Sequence, residues 1–386
     1  MRRIYFDNNA TTPVLPEIFE VMRPFFTEQF GNASSIHQDG QQARAAVERA
    51  RELVAKLIGA RTSEVVFTSG GTEGDNLALF GMVKAGDHVI TSTIEHEAIL
   101  NACKRLEQNG CEVTYVPVDG RCLVNPDDVR RALRPNTKLI TVMMANNETG
   151  VLQPMAEIGR IAAEADVYFH TDAVQAAGKV PIDVNGIGCD LMSISGHKMN
   201  APKGVGAFYV RKGTLVQPLF YGGKHERSRR AGTENVPGIV ALGKAAEFAR
   251  DGFANGAVER IRELRDRLES TVTSTIEATG VNGDGGPRVP NTANLFFDYI
   301  EGEALVIALD LKGIAASTGA ACSSGATEPS HVLTAMGLPP ERARGSMRFS
   351  LGKQTTADEI EYFLSVLPET LARLRELSPV YAGQAK

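Results

Sequence analysis

Short runs rich in β-branched residues alternate with amphipathic helical patterns from about residue 64 to residue 210. The predicted strands lie at 64–68, 88–92, 112–117, 138–144, 167–171, 190–195 and 205–210, and the predicted helices at 73–84, 96–108, 125–134 and 155–165. This alternation predicts an α/β fold with a mostly parallel seven-stranded sheet covered on both faces. Ligands bind beyond the carboxyl ends of such strands, so we expect functional residues in the loops that follow them.

Two long helical stretches, roughly 236–252 and 255–278, carry the chain away from this sheet. A predicted strand at 289–297, a helix at 302–312, a strand at 346–350 and a long C-terminal helix follow. Because 386 residues are too many for one simple core, we expect two domains. The large one would comprise residues 15–253, and a smaller α+β domain would comprise residues 1–14 and 254–386.

Charge and hydropathy exclude several classes of protein. The chain has 41 Lys and Arg against 46 Asp and Glu, which predicts no binding to nucleic acid or to an anionic membrane. It has no apolar run long enough to span a bilayer, and Asp7 interrupts the N-terminus before a signal-peptide core can form. The five cysteines include no C-x-x-C pair, which argues against a disulfide framework or a zinc site and favours the cytoplasm.

The predicted strand 190–195 runs into Ser195-Gly-His-Lys198. A lysine at the end of a buried strand is costly unless it is paired or used chemically. One use is a Schiff base with an aldehyde, with the hydroxyl of Ser195 and the imidazole of His197 nearby to hold an anionic group. The alternative is a solvated lysine in a loop.

Three other strand ends carry polar residues. The turn at Gly70-Gly71-Thr72 would form either an anion site at a helix start or a plain N-cap, and it matches neither the dinucleotide nor the P-loop fingerprint. His96 would lie above a bound cofactor ring, or would only cap its own helix. Asp172 would hold a pyridine nitrogen protonated, or would cap the next turn.

Two further residues stand out in the C-terminal part. Arg348 lies on a strand between apolar neighbours, where it needs a carboxylate from a substrate or from an internal ion pair. Cys322 lies among small residues that give a loop no anchor in a core, which favours a reactive thiol. The other four cysteines lie in apolar settings and are expected to be small core residues.

Together these motifs resemble the class V fold-type I pyridoxal-phosphate enzymes, and within them the cysteine desulfurases of the NifS/IscS family. The resemblance covers nearly the whole chain, in blocks that occur in the right order. They are Asp7-Asn-Asn-Ala-Thr-Thr, Gly31-Asn-Ala-Ser-Ser-Ile-His, Thr68-Ser-Gly-Gly-Thr-Glu, Ala145-Asn-Asn-Glu-Thr-Gly, His170-Thr-Asp-Ala-Val-Gln, Ser195-Gly-His-Lys, Arg229-Arg-Ala-Gly-Thr-Glu-Asn and Glu328-Pro-Ser-His-Val-Leu. The Cys322 loop is similar to that of group I, NifS-like members. Gly74 and Thr318 depart from the usual family residues, but neither is a catalytic position.

The resemblance implies a role for each matching residue. Lys198 would bind the cofactor aldehyde, and His96 would stack on the ring and act as acid and base. Asp172 would pair with the pyridine nitrogen and Gln175 with the ring phenolate. The phosphate would bind to Gly71, Thr72, Ser195 and His197, and to Thr233 of the second subunit of a homodimer. Asn32, Asn147 and Arg348 would orient the substrate and its adduct, and Asn147 would also bind the cofactor.

The implied reaction removes sulfur from L-cysteine, giving L-alanine and a persulfide on Cys322. The sulfur would pass to an acceptor or iron–sulfur scaffold protein, and transient iron–sulfur binding at Cys322 is a further hypothesis. Selenocysteine lyase and aminotransferase activity remain alternatives, as does a sulfur-carrier scaffold without turnover. Retention of Lys198, Asp172 and His96 argues against that scaffold.

Overall fold

A computed structural model of the protein describes residues 3–318 and 329–378. In chain order the strands are β1 (Ile4–Tyr5), β2 (Val65–Thr68), β3 (His88–Ser92), β4 (Glu112–Val116), β5 (Thr137–Thr141), β6 (Tyr168–Asp172), β7 (Leu191–Ser195), β8 (Gly206–Val210), β9 (Thr279–Val281), β10 (Thr292–Phe297), β11 (Ile314–Ala315), β12 (Ser317–Thr318) and β13 (Ser346–Ser350). The α-helices are α1 (Pro16–Met22), α2 (Pro24–Thr27), α3 (Gln38–Ile58), α4 (Gly71–Met82), α5 (Glu97–Gln108), α6 (Pro126–Ala132), α7 (Met155–Glu164), α8 (Val184–Ile187), α9 (Val236–Ala254), α10 (Ala257–Thr275), α11 (Gly302–Leu311), α12 (His331–Ala335), α13 (Pro340–Arg344) and α14 (Ala357–Glu376).

A seven-stranded sheet in the order β2-β8-β7-β6-β5-β3-β4 forms the centre of the molecule. Strand β8 runs antiparallel to both of its neighbours, while every other pair of adjacent strands is parallel. The predicted mostly parallel α/β sheet is therefore confirmed. Because β6 and β7 are adjacent and parallel, their carboxyl ends open to the same edge of the sheet.

The two faces of the sheet pack against different helices, because successive side chains of a strand point to opposite faces. Val65 and Phe67 lie in a core cluster with residues of α3, α7 and α9. Val66, between them, lies in a second cluster with residues of α4 and α5. Both faces are thus covered, as expected for a sheet with strands, such as β2 and β7, that are buried along their whole length.

Helix α3 is capped at both ends. His37 caps its start by accepting the backbone N–H of Gly40, and Gly59 ends it in the left-handed conformation at φ 71°. The helix packs closely on α9 because Gly243 has no side chain. A Cβ at that position would lie 2.6 Å from Ala50 Cα.

A second, antiparallel sheet in the order β12-β13-β10-β9 packs on α10, α11 and α14. Its core includes Leu268, Leu305 and Phe363, together with Phe6 from the start of the chain. Strand β1 pairs in parallel with β11, so the N-terminal segment lies beside this second sheet. The proposed domain boundary near residue 253 stays a prediction.

Within residues 3–318 and 329–378, no helix is both long and apolar enough to cross a membrane. The same ranges contain no group of three or more His, Cys, Asp or Glu residues suited to a metal ion. Cys103, Cys111, Cys122 and Cys189 are buried free thiols, which confirms the prediction that they are core residues.

Candidate active site

The cleft at the carboxyl edge of the central sheet brings together residues from two adjacent strands. Asp172 ends β6, and it pairs in register with Ser193 of β7. A short turn, Gly196–Lys198, follows the last residue of β7 directly. Asp172 and Lys198, predicted as strand-end residues, therefore share one edge of the sheet.

Lys198 is half-buried, and its amine is held by the N-terminal segment. Its Nζ donates hydrogen bonds to the carbonyl oxygens of Asn9 and Ala10 at 2.5 and 2.7 Å. The same segment is fastened to the turn at Thr12, whose backbone N–H and hydroxyl both donate to the His197 carbonyl oxygen. The lysine is thus fixed inside the cleft, and the alternative of a solvated loop lysine is wrong.

Asp172 is 6% exposed and lies near His96 and Lys198. One carboxylate oxygen accepts the backbone N–H of Val174 at 2.8 Å. Burial raises the pKa of this carboxyl, against the opposing effects of His96, that hydrogen bond and Lys198. Within the described part of the chain it forms no ion pair within 4 Å, so a bound cation would stabilise its charged form.

His96 is the N-cap of α5. Its Nδ1 accepts the backbone N–H of Ala98 at 3.1 Å, so in the neutral ring the proton is on Nε2. The capping alternative is therefore confirmed for Nδ1. It does not exclude a contact between a ligand and Nε2, because one ring nitrogen remains available.

The predicted anion site lies at the N-terminus of α4, next to the end of β7. Only glycine fits at position 71, since a Cβ there would lie 2.6 Å from Val174 Cγ2 and 3.8 Å from Ser195 Cβ. The first backbone N–H groups of the helix, including those of Gly71 and Thr72, have no partner in a preceding turn. These groups and the Ser195 hydroxyl supply donors for a phosphate.

His197 lies next to this anion site. Its Nδ1 is 3.1 Å from the Thr11 hydroxyl. Burial, with smaller effects from the charges of Lys198 and Lys203, lowers the pKa of His197 to about 4. The imidazole is therefore neutral near pH 7, so any hydrogen bond that it makes to a phosphate is that of a neutral ring.

Arg348 and Asn147 lie on the opposite side of the cleft, close to the N-terminal segment. Arg348 is 3% exposed, and its Nη2 donates to the Asp7 carboxylate at 2.8 Å. Its Nη1 donates to the Asn147 carbonyl oxygen at 3.1 Å. The alternative of an internal ion pair is confirmed, and Nε is buried with no hydrogen-bond partner among residues 3–318 and 329–378.

Gln175, in the turn after β6, contacts the same N-terminal segment. Its Nε2 donates to the Asn9 carbonyl oxygen at 3.0 Å, which is also the acceptor for Lys198. Gln175 and Lys198 thus meet at one oxygen atom.

Two of the predicted residues, Asn32 and Thr233, are not part of this arrangement. Asn32 is exposed, and its Oδ1 accepts the backbone N–H of Ser34. Thr233 is exposed on the segment before α9 and has no hydrogen bond to the other site residues in the described part of the chain. Cys322 lies outside the described residues.

The cleft also contains ionisable residues that sequence reasoning missed. Glu95 is fully buried beside His96, accepts the Ser92 hydroxyl at 2.6 Å, and has its pKa raised by burial to about 8. Lys179 donates to the side-chain oxygens of Asn9 and Gln175. The only sequence feature that could have pointed to Lys179 is its position four residues after Gln175. A spacing of four is too common in helical turns to identify a site residue.

These residues fit an aldehyde-bearing pyridine phosphate. The cleft has an amine for the aldehyde in Lys198 and a buried carboxylate without a close cation in Asp172. It also has a helix N-terminus whose first backbone N–H groups have no partner in a preceding turn. Each chemical group of such a cofactor therefore meets a side chain of the matching type.

Comparison with known proteins identifies the family. The model of the family described as aminotransferase class-V matches residues 4–363. Cysteine desulfurase IscS of Dictyoglomus turgidum is 50% identical over 382 residues, covering 98% of this chain and 97% of the relative. A solved structure titled NIFS-like protein has a TM-score of 0.90 and 38% identity, covering 96% of this chain and 100% of its own.

A second solved structure, titled SspA in complex with cysteine, has a TM-score of 0.80 and 36% identity, covering 92% of this chain and 100% of its own. The resemblance drawn from the sequence motifs is confirmed by these matches. The chain belongs to the class V aminotransferase family, alongside relatives named cysteine desulfurase.

Proposed function

We propose that this protein is a cysteine desulfurase that uses pyridoxal 5′-phosphate to remove sulfur from L-cysteine, giving L-alanine and a persulfide on Cys322. The observation that carries this is the position of Lys198 and Asp172 at the ends of two adjacent parallel strands. An amine and a buried carboxylate at that edge match the two ends of the cofactor ring. The names of the relatives, which are about 50% identical, support the same reaction.

The residues that would hold the cofactor follow from the types of side chain in the cleft. Lys198 would bind the aldehyde, Asp172 the pyridine nitrogen and Gln175 the ring oxygen. The phosphate would be held by Gly71, Thr72, Ser195 and His197. When bound, pyridoxal phosphate supplies an electron sink that stabilises negative charge on the substrate carbon next to the nitrogen.

Three side chains of the cleft would bind substrate and move protons. The amine of Lys198 would accept a proton from the substrate carbon at Nζ and return one later. His96 would donate or accept a proton at Nε2, because its Nδ1 is occupied by the Ala98 N–H. Arg348 would bind the substrate carboxylate through its remaining guanidinium N–H groups, because the Asn147 carbonyl oxygen and the Asp7 carboxylate each take only one hydrogen, from Nη1 and Nη2 respectively.

Asn147 and Asn32 complete the set of proposed substrate contacts. Asn147 is adjacent to Arg348, which donates to its carbonyl oxygen. Asn32 is exposed on its loop, so its contribution would require the loop to approach a bound substrate.

Cys322 would be the nucleophile. Its thiolate would attack the substrate sulfur, the carbon–sulfur bond would break, and the substrate carbon would gain a proton to give alanine. The buried thiols are poor alternatives, since burial raises the pKa of Cys103, Cys122 and Cys189 to about 12.

Assembly and sulfur delivery are part of the same proposal. We expect a homodimer in which the exposed Thr233 reaches the phosphate of the partner subunit. The persulfide would pass to an acceptor or iron–sulfur scaffold protein in the cytoplasm. Transient iron–sulfur binding at Cys322 stays a hypothesis.

The test is to incubate the pyridoxal-phosphate-loaded protein with L-cysteine. The alanine formed is quantified, and the mass of the peptide that contains Cys322 is measured by mass spectrometry. We expect alanine and a mass increase of one sulfur atom on that peptide. Cys322→Ala should lose sulfur transfer but keep the colour of the cofactor, whereas Cys111→Ala, which alters a buried thiol far from catalysis, should retain both. Catalytic turnover by the Cys322→Ala protein without an external thiol would refute the assignment.

The same assay distinguishes the alternatives. An aminotransferase would need a keto acid and would form the corresponding amino acid without a persulfide. A selenocysteine lyase would prefer selenocysteine over cysteine in kcat/KM.

A further inference from the structure

Lys179 is a lysine in the cleft that the proposed mechanism does not use. It follows β6 in the chain, and its Nζ lies 2.7 Å from Gln175 Oε1 and 2.9 Å from Asn9 Oδ1. In the described part of the chain it forms no ion pair with a carboxylate. Burial, and then the positive charges of Lys198 and Arg348, lower its pKa well below the usual range. A lysine in such surroundings lowers stability unless it has another role.

The contacts of Lys179 determine which way two carboxamide groups point. Its Nζ donates a hydrogen bond to the side-chain oxygen of each carboxamide, so both Gln175 and Asn9 present an oxygen to the lysine. Because its oxygen faces Lys179, the Gln175 carboxamide directs Nε2 away from Lys179 and towards the Asn9 carbonyl oxygen, at 3.0 Å. For Asn9 it turns Nδ2 towards the Asn147 carbonyl oxygen at 3.1 Å and the Thr292 hydroxyl at 2.9 Å.

Both orientations bear directly on the candidate site. The Asn9 carbonyl oxygen accepts hydrogen bonds from both Gln175 Nε2 and Lys198 Nζ. The Gln175 nitrogen therefore lies on the same side as the Lys198 amine that would bind the cofactor aldehyde. A carboxamide nitrogen carries two hydrogens, and the Asn9 carbonyl uses one, which leaves the other for a ligand. Reversing the Gln175 carboxamide would present an oxygen to that ligand and a nitrogen to Lys179, giving two unfavourable contacts.

We propose that Lys179 is a positioning residue: it fixes the Gln175 carboxamide so that its nitrogen donates a hydrogen bond to the ring oxygen of bound pyridoxal phosphate. This rests on the proposed function, because that oxygen belongs to the cofactor. In this proposal Lys179 acts through Gln175 and contacts neither the cofactor nor the substrate.

The test measures pyridoxal phosphate affinity and the absorption maximum of the bound cofactor in purified, reconstituted protein. Lys179→Met removes the donor at similar length, and we expect about tenfold weaker binding and a shifted absorption maximum. Lys179→Gln keeps an N–H donor and should stay within about threefold of the wild-type affinity. Lys244→Met, which removes a half-buried lysine paired with Glu247 on α9, is the matched control and should change neither quantity.

A double-mutant cycle isolates the route through Gln175. In a Gln175→Ala protein, adding Lys179→Met should leave both affinity and absorption maximum unchanged. An equal loss with and without Gln175 would overturn the proposal, as would equal losses for Lys179→Met and Lys179→Gln. If Lys179→Met does not fold, normal binding by Lys179→Gln supports the proposal, and a tenfold loss in that variant overturns it.

The wild-type measurement separates this inference from the proposed function. A wild-type protein that binds no pyridoxal phosphate would refute both. Normal wild-type binding with an unaltered Lys179→Met variant would refute only the role of Lys179.

Discussion

His170 Nε2 lies 3.8 Å from the Asp75 carboxylate, and both side chains are buried beneath the candidate active site. Burial lowers the pKa of His170 to about 3. Burial, and then the negative charge of Asp172, raise the pKa of Asp75 well above its usual range. Near pH 7 His170 is therefore neutral, and its proximity to Asp75 is not an ion pair. His170 is held instead by the hydroxyls of Thr141 and Ser193, at 2.8 and 3.0 Å.

His170 should make the protein less stable in mild acid. Its pKa is near 6.5 when unfolded and about 3 when folded, so below pH 6.5 only the unfolded chain gains the proton. The stability that His170 contributes is present above pH 6.5 and is lost as the pH falls towards 3, by about 1.4 kcal/mol per pH unit. Urea unfolding of wild type and His170→Asn at pH 5, 6 and 7 checks this. The difference in unfolding free energy should shrink towards pH 5, and a constant difference would contradict the assignment.

Glu95 should make the protein less stable as the pH rises towards 8, which is the opposite pH dependence. Burial raises its pKa from 4.5 to about 8, so between these values the folded state holds a proton that the unfolded state has lost. Stability from this group is present at low pH and falls as the pH rises to 8, by about 1.4 kcal/mol per pH unit. Glu95→Gln removes the titration and keeps an oxygen for the Met143 N–H. Its stability relative to wild type should therefore increase between pH 5 and 8, and a parallel pair of curves would refute the shifted pKa.

The central sheet could be predicted because its strands are short local runs rich in β-branched residues that alternate with helical patterns. Residues 190–195 were predicted as a strand, and β7 covers Leu191–Ser195. Sequence reasoning missed β1 and β11, which are only two residues long and depend on the pairing of Ile4 with Ile314. Elements this short carry no periodic pattern, and their position comes from contacts between distant parts of the chain.

The same contrast applies to the candidate site. Asp172 and Lys198 could be predicted to lie together, because the carboxyl ends of parallel strands meet at one edge. Lys179 could not, because its role arises from contact with Asn9, 170 residues away in the sequence. Arg348 was recognised as needing a carboxylate, but only the structure identifies Asp7 as the partner.

Arg51 and Glu226 form an ion pair whose side chains are each 5% exposed. Two hydrogen bonds of 2.7 and 2.8 Å join them, and Glu226 also accepts the Phe67 N–H from β2. Removing one partner leaves a buried charge, so Glu226→Gln and Arg51→Met should each lower the unfolding free energy by about 3–5 kcal/mol. The double variant should lose much less than the sum, as measured by urea unfolding at pH 7. Additive losses would mean that the two side chains act independently.

Gly71 should be intolerant of any side chain, for a reason that can be tested by rescue. A Cβ at this position would lie 2.6 Å from Val174 Cγ2, so Gly71→Ala must displace Val174 or the first turn of α4. Overpacking of this kind costs about 1–3 kcal/mol, and a shift of the helix start moves the backbone N–H groups proposed to bind the phosphate. We expect pyridoxal phosphate affinity to fall on the order of tenfold, measured by absorbance titration.

Shortening Val174 should relieve the clash. In Gly71→Ala/Val174→Ala the nearest side-chain atom is removed, while the Val174 N–H that binds Asp172 stays in place. We therefore expect the double variant to recover most of the lost affinity, and Val174→Ala alone to bind the cofactor nearly as wild type does. If the double variant binds as weakly as Gly71→Ala, the glycine is required for the backbone conformation or for ligand approach, and not for packing against Val174.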